Sequence, residues 1–569
     1  MRVWSRVRDM KRLVLVAVAA CSAPAHEPVT PPPPAGPHTL TLIGTNDLHG
    51  QIERVAILAG YVANVRAARA ADGGAVVLVD AGDMFQGTLE SNLAEGADVV
   101  RAYNRLGYAA AAIGNHEFDY GPVGPHVTAA PGEDPRGALE ARIAEAKFPI
   151  LSANLADEQG ARVPWAKPSV IVDTGIVKVG ILGISTASTP TTTMPANFKG
   201  LRILSAAHAI VEEAKALRAQ GAGVVIATMH VGSDCTQLDN PEDDSSCDRD
   251  TELYKVMADV PAGTLDAIVA GHTHAGVAQK IAGTPVIESF SQGRAFGRID
   301  LTIAGGKPTA THIYAPQLIC PLDERKNPVP VAACHPDAYE GKAVVSDDAI
   351  VKIAAESIAR AGAKRDEKLG VTLSAIVTKA YKEESAEGDL FCELMLAAQP
   401  GADVAMTNGG GLRTDLPAGD LTYGQFFEAM PFDNRFSLVD VTGAQLRELV
   451  TKNLEASGGI LSWANLWATA SCDAGKLRVD IDVAGKPLDD GKRYSLVTSD
   501  FLTSGGDQTF ARLGLAPSAI HATDMVIRDG MADVLRSKKG TTIDPATLLA
   551  RRHLQYSGNR PVHCRKDEP

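Results

Sequence analysis

Gly114-Asn115-His116-Glu117-Phe118-Asp119 follows the small apolar run Tyr108 to Ile113. A buried strand that stops in such a turn gathers polar side chains at one strand end, which is where open α/β sheets build their sites. Asn115 offers a neutral oxygen ligand, His116 an acid or base, and Asp119 a partner to orient that imidazole. Taken alone, the stretch reads equally as a polar loop with a chance histidine.

The neighbouring runs repeat the pattern. Thr39 to Thr45 reads as a strand ending in Asn46-Asp47-Leu48-His49-Gly50, whose D-x-H pair presents a carboxylate and an imidazole on one side. Val55 to Ala70 reads as a helix. Ala75 to Val79 is a second buried strand, ending Asp80-Ala81-Gly82-Asp83, and a helix runs from Gly87-Thr88 to about Leu106. Phe148 to Ala153 and Ile171 to Ile184 are strand-like, and Ser205 to Ala219 is a helix with an N-cap serine. Gly223 to Met229 is a strand ending at His230. Leu265 to Ala270 is another, ending Gly271-His272-Thr273-His274, and Pro285 to Ile303 reads as closing β structure. Strands alternating with helices predict βαβ units around a largely parallel core.

Five strand ends thus carry Asp47 with His49, Asp83, Asn115, His230, and His272 with His274. Solubility alone does not concentrate Asp, Asn and His in this way. Imidazole, carboxylate and amide without thiolate suit Zn, Mn or Fe rather than copper. Seven ligands exceed the need of one four-coordinate ion, so two metals sharing a carboxylate fit better.

The chain has 569 residues, too many for one core, and a formal net charge of −13. That charge argues against a nucleic-acid polymer as partner, but not against small phosphorylated molecules, since bound metal ions supply local positive charge. Arg2, Arg6, Arg8, Lys11 and Arg12 precede the apolar run Leu13 to Ala20, the pattern of a secretory signal too short to span a bilayer. Val18-Ala19-Ala20-Cys21 resembles a bacterial lipobox, which implies lipidation at Cys21 and attachment to a membrane through that lipid; plain cleavage nearby is the alternative. A Pro-rich tether follows. Seven cysteines remain. Cys235–Cys247 and Cys320–Cys334 are the expected disulfides of an exported chain, and Cys392 is the expected free thiol.

Lys307 to Val345 reads as irregular. Ser346 begins a helix with Asp347 and Asp348 in its first turn and an apolar stripe of Ile350, Ile353, Ala354 and Ile358. It reads as a hinge between domains or as a helix packed on one of them. Val371 to Thr378 is then a strand, Gly388 to Ala398 a helix, and Asp403 to Met406 a short strand leading into Thr407-Asn408-Gly409-Gly410-Gly411-Leu412-Arg413. The glycines allow close backbone approach to a ligand, and Arg413 can grip phosphate.

Together the Asn46–Gly50, Gly82-Asp83, Gly114–Asp119, His230 and Gly271–His274 blocks resemble the signature of the calcineurin-like metallophosphoesterases. More closely, the chain resembles bacterial periplasmic UDP-sugar hydrolase/5′-nucleotidases and animal ecto-5′-nucleotidases. The resemblance implies an α/β chain whose four-layer αββα sandwich is followed by a smaller α/β substrate domain. The divisions expected are 1–21 signal peptide with lipobox, 22–38 tether, 39–320 metallophosphoesterase domain, 321–369 linker and interdomain helix, and 370–560 C-terminal domain. It implies two divalent ions, Zn, Mn or similar: one on Asp47, His49, Asp83 and His274, the other on Asp83, Asn115, His230 and His272. A metal-activated water would attack phosphorus, with His116 and Asp119 as a dyad at the phosphate. Asn408, Gly410 and Arg413 would form the substrate loop, Phe432 and Phe501 would sandwich a nucleobase, and Asp507 would hold the ribose hydroxyls. A swing of the second domain would deliver the nucleotide to the metals.

One departure stands out. Where nucleoside-monophosphate-cleaving relatives carry phosphate-gripping arginines, this chain has Tyr381-Lys382-Glu383-Glu384-Ser385-Ala386-Glu387-Gly388-Asp389, and Glu383 and Glu384 would repel a dianion. The same chemistry on UDP-sugars, 2′,3′-cyclic nucleotides or other phosphoesters is therefore the alternative. A non-catalytic surface nucleotide-binding protein is a further one. Oligomeric state is not encoded in any of these patterns.

Overall fold

The computed structural model describes residues 36–564 apart from 125, 127, 323–328, 474 and 551. Cys21 and most of the Pro-rich tether lie outside the described residues.

Two six-stranded sheets stack face to face. The first runs Lys307–Leu318, Ala295–Ala304, His38–Thr45, Ala75–Asp80, Ala110–Ala112, Ile150–Leu151, and the last four strands are parallel. The second runs Gly276–Ile281, Thr284–Ser289, Ala267–Ala270, Val224–Met229, Lys178–Ile184, Ser169–Asp173, parallel in its centre and antiparallel at both edges. The facing sides share one core: Leu40, Leu42, Val77 and Val79 pack with Ile181, Ile226, Val269 and Ile287. Ile43 and Leu78 point the other way, into a core covered by the helices Ile52–Asp72 and Ala97–Leu106. The helix Ala206–Ala219 covers the far side of the second sheet through Leu182, Val225 and Ile268. Strands buried on both faces read as continuous apolar runs, which is why they are conspicuous in the sequence. The result is the expected αββα sandwich, with the parallel strands' C-terminal ends along one rim.

A five-stranded sheet forms the centre of the C-terminal part, in the order Leu461–Ala464, Val404–Asn408, Arg493–Ser499, Arg435–Thr442, Ile520–Val526. The helix Ala386–Ala398 covers one face and Gly443–Glu455 packs in a separate apolar cluster. Between the two parts runs the helix Asp348–Arg365. Its Ile350 and Ala354 sit in the first core and its Ala361 in the second, with a non-helical kink at Gly362.

Some elements differ from expectation. Lys307–Leu318 is a 12-residue edge strand, not irregular chain. Only Ile313 is fully buried there, so no apolar alternation announces it. The interdomain helix is capped by Asp347, whose carboxylate accepts from Ala349 and Ile350 N–H, rather than starting at Ser346. The Gly87–Leu106 stretch breaks into Leu89–Asn92 and Ala97–Leu106 around Gly96, which holds φ 79°. Disulfides join Cys235–Cys247 and Cys320–Cys334 as expected, and Cys472–Cys564 as well, while Cys392 is free and buried. Among the described residues no helix is long and apolar enough to cross a membrane.

Candidate active site

All seven proposed ligands converge on the C-terminal rim of the sandwich, in two groups. In the first, His274 Nε2 lies 3.2 Å from Asp47 Oδ1 and 3.0 Å from His49 Nε2. In the second, His230 Nε2 lies 3.0 Å from Asp83 Oδ2, 3.0 Å from Asn115 Oδ1 and 3.2 Å from His272 Nδ1. Asp83 Oδ2 also stands 4.0 Å from His49 Nε2, so this one oxygen faces both groups.

The backbone is bent to achieve this. Asp47, His49, Asp83, His272 and His274 all have positive φ, between 49° and 83°. Non-glycine residues are held in that region only where surrounding structure over-determines them, and such strain collects at functional sites. Two glycines make the approach feasible. A Cβ on Gly114 would sit 2.2 Å from Asp83 Oδ1, and one on Gly82 (φ 93°) would sit 2.7 Å from Gly114 N.

Buried carboxyls outside the ligand set hold these loops. Glu117 accepts from the N–H groups of Asp83, Met84 and Gly114. Glu288 accepts from Thr273 N–H and Oγ1–H and from Ser233 N–H, fixing the loop between His272 and His274. Burial pushes each up to about 8, with the nearby ligand carboxylates acting in the same direction. Glu117 lies within the signature stretch. Sequence reasoning misses Glu288, although a charge inside the apolar run before Ser289 is a signal that something specific holds it.

The imidazoles are prepared to donate electron pairs. His49 Nδ1–H donates to Gln86 O at 2.7 Å and His230 Nδ1–H to Ala81 O at 2.8 Å, which fixes the tautomer and leaves Nε2 facing inward. Burial, then the charges of Arg413 and His274, lowers His49 well below its ordinary value, and burial and His230 lower His272 to about 3. Burial would lower His230 too, but the Asp83 and Asp47 carboxylates outweigh it and raise it to about 10. That pull on a proton is equally a pull on a metal cation. Asp47 Oδ1 is buried without a hydrogen-bond partner. Converging lone pairs, an orphaned buried carboxylate oxygen and a shared carboxylate form a donor set that fits two divalent ions.

Beside the groups, His116 Nδ1 is 2.6 Å from Asp119 Oδ2, and Thr193 Oγ1–H donates to Asp119 Oδ1 at 2.7 Å. The second part of the chain closes over this dyad. The Phe432 ring lies 5.6 Å from the His116 ring, and the Arg413 guanidinium 5.8 Å from Phe432. Arg413 Nη2 reaches His49 Nε2 at 3.1 Å. Asn408 Nδ2 donates to Asp507 Oδ2 at 2.6 Å, and Phe501 lies against Gly506. A Cβ at Gly410 would lie 3.3 Å from Asn408 Nδ2 and 3.7 Å from the Tyr381 ring. Phe432 and Phe501 form no ring contact with each other among the described residues.

The acidic segment is arranged otherwise than its sequence implied. Glu384 is buried, and its carboxylate accepts from the N–H groups of His553 and Leu554 rather than facing the cleft. Lys379, which no sequence pattern singles out, has its ammonium lowered by desolvation and then by the Arg413 charge.

The fold and these strand-end loops define a metallophosphoesterase, a class of phosphoester hydrolases. The calcineurin-like phosphoesterase profile matches residues 40–276, and the profile of the 5′-nucleotidase C-terminal domain matches residues 363–513. The chain thus carries a match to each of these two domains, in that order. It is 27% identical over 519 residues to Protein UshA of Yersinia enterocolitica, covering 85% of this chain and 88% of that protein. It is 25% identical to the 5′-nucleotidase of Vibrio cholerae, covering 83% and 85%. In structure it is similar to a 5′-nucleotidase precursor from Thermus thermophilus, with a TM-score of 0.68 and 22% identity over 89% of this chain and 97% of that one.

Proposed function

We propose that the protein is an exported 5′-nucleotidase-like enzyme that uses two divalent ions to hydrolyse nucleotide phosphoesters. The observation that carries this reading is Asp83 Oδ2, which faces both the Asp47–His49–His274 and the Asn115–His230–His272 groups, with Arg413 Nη2 3.1 Å from His49 Nε2. Asp47, His49, Asp83 and His274 would hold one ion, and Asp83, Asn115, His230 and His272 the other. Bound there, the ions supply Lewis-acid stabilisation of phosphate oxygens and a nucleophilic water at neutral pH.

The protein's own groups do the rest. Arg413 grips the phosphate in a bidentate manner. His116, held by Asp119, stabilises charge on the phosphoryl group or protonates the leaving oxygen, a contribution of ~10²–10⁴-fold for a positioned acid. Phe432 and Phe501 stack on the base, with ~1–3 kcal/mol from each contact and little choice among bases. Asp507, tied to Asn408, receives the ribose hydroxyls. Substrate names among the relatives, 5′-nucleotidase above all, agree with this assignment. The basic, apolar N-terminal pattern and three disulfides support export. The signal ending at Cys21, the tether, the 39–320 and 370–560 domains and the hinge between them are part of the same proposal.

The reading is tested by phosphate release from AMP, ATP, UDP-glucose, a 2′,3′-cyclic nucleotide and an aryl phosphate, with and without chelator, for the native protein and Asp83→Asn. Chelator-sensitive release that is highest on AMP and falls more than ~100-fold in Asp83→Asn is expected. Release confined to other esters keeps the metal chemistry and moves the substrate. No release with any divalent metal overturns the enzyme reading in favour of nucleotide binding.

A further inference from the structure

The C-terminal domain contains a second polar cluster that phosphoester chemistry does not use. Glu384, Asp389 and His553 meet where the helix Ala386–Ala398 begins and the strand Leu554–Gln555 returns beside Leu466–Asp473. All three are buried, with Asp389 0% and Glu384 and His553 each 6% exposed. His553 Nδ1 is 3.3 Å from Glu384 Oε1 and 3.5 Å from Asp389 Oδ1. Neither oxygen of Asp389 accepts a hydrogen bond of good geometry, and Oδ1 is left with the long His553 contact. The Trp467 ring stacks on the His553 ring at 5.5 Å and 17°, which fixes the plane of the imidazole.

Three considerations converge on a cation. A buried carboxylate held only by so long a contact costs several kcal/mol unless something further compensates its charge. Two carboxylates and one imidazole carry a negative charge even with the imidazole protonated, whereas a dication with neutral imidazole balances them. The spacing also matches. Ligand atoms bound at about 2.0–2.1 Å in a tetrahedron lie about 3.3–3.4 Å apart, while an N–H···O hydrogen bond is about 2.7–3.2 Å. The observed separations of 3.3 and 3.5 Å are compatible with ligands of one ion, and the three donor atoms all lie within 4.8 Å of one another.

We propose that Glu384, Asp389 and His553 form a third metal site, separate from the active cleft, which takes a divalent ion of the zinc or manganese class. One imidazole and two carboxylates without thiolate select that class. Its role is structural. Glu384 already holds the His553 and Leu554 N–H groups, so the ion joins the returning C-terminal chain to the first turn of the helix Ala386–Ala398.

The native protein, Asp389→Asn and Glu384→Gln are equilibrated with buffered free zinc, desalted, and counted by inductively coupled plasma mass spectrometry. One zinc fewer per chain in either variant than in the native protein is expected. Crystals of the native protein grown with zinc supply a second reading that needs no variant. An anomalous peak at the zinc edge among Glu384, Asp389 and His553 supports the site, whatever appears at Asp83. A zinc count unchanged in folded variants, or a native map without that peak, overturns it and leaves a proton-bridged ion cluster.

Discussion

Arg413 Nη2 lies 3.1 Å from His49 Nε2, although the two residues are 364 positions apart and belong to different domains. On the proposed function, a phosphate would displace this contact, beside the buried Asp47 and Asp83 carboxylates. Arg413→Ala should lower kcat/KM on the preferred nucleotide by ~10–100-fold, from the loss of a charge-assisted pair worth ~1.5–3 kcal/mol. Metal content should not change. Arg413→Lys should recover only part, because an ammonium cannot reproduce the fork. Unchanged kcat/KM in Arg413→Ala would place the phosphate elsewhere.

Glu288 offers a test of the site that touches no proposed ligand. Its two oxygens accept three donors from Thr273 and Ser233 and hold the loop carrying His272 and His274. In Glu288→Ala these three donors lose their acceptors. Outer-shell changes of this kind cost ~10–100-fold in metal affinity. Competition with a graded series of chelators should show that weakening, and phosphate release at saturating metal should largely recover. Equal metal retention in both proteins would show that the loop holds itself.

Much of this site is legible in the chain because the strands leading to it are buried on both faces. Val224–Met229 and Ala267–Ala270 are wholly buried, so a histidine soon after each stands out. The positive φ values at Asp47, His49, Asp83, His272 and His274 leave no such trace, since these positions are not themselves glycines. Lys307–Leu318 is hidden for the opposite reason: an edge strand with polar residues on both faces carries no period. Sequence proximity alone sets the Glu384 carboxylate against the phosphate. Its actual partner, His553, is 169 positions away, and only the returning C-terminal chain brings the two together.

Glu428 makes the closed arrangement sensitive to pH. It lines the cleft with His49, Arg413 and Pro431. Burial, then the neighbouring Glu90 carboxylate, raises its carboxyl from 4.5 to about 7, with Arg365 and Arg54 opposing. The folded state therefore binds a proton more tightly than the unfolded chain. Its contribution is complete below about 4.5 and is lost as pH rises through about 7. Glu428→Gln should raise stability at pH 8 by about 3 kcal/mol, with the difference vanishing near pH 4. Thermal melts of both proteins across that range provide the measurement. A constant offset at every pH would show that Glu428 does not titrate as argued.

The same closure has to be undone for turnover. With Arg413 at 3.1 Å from His49, the proposed entry of a nucleotide would have the second domain move away. Gln86 and Asn92 side-chain amides donate to Pro431 O at 2.8 and 3.1 Å, contacts light enough to break on each cycle. The connecting helix anchors Ile350 and Ala354 in one core and Ala361 in the other, and its kink at Gly362 is a place for the rotation to be absorbed. Cysteines introduced as Asn92→Cys and Pro431→Cys and joined by a short bismaleimide would fix the domains together, while the native Cys392 thiol is buried and out of reach. The joined protein should lose more than ~90% of its phosphate release, and the same double variant left unjoined should keep it. Full turnover in the joined form would mean that nucleotides reach the metals by a route that leaves the Pro431 contact intact.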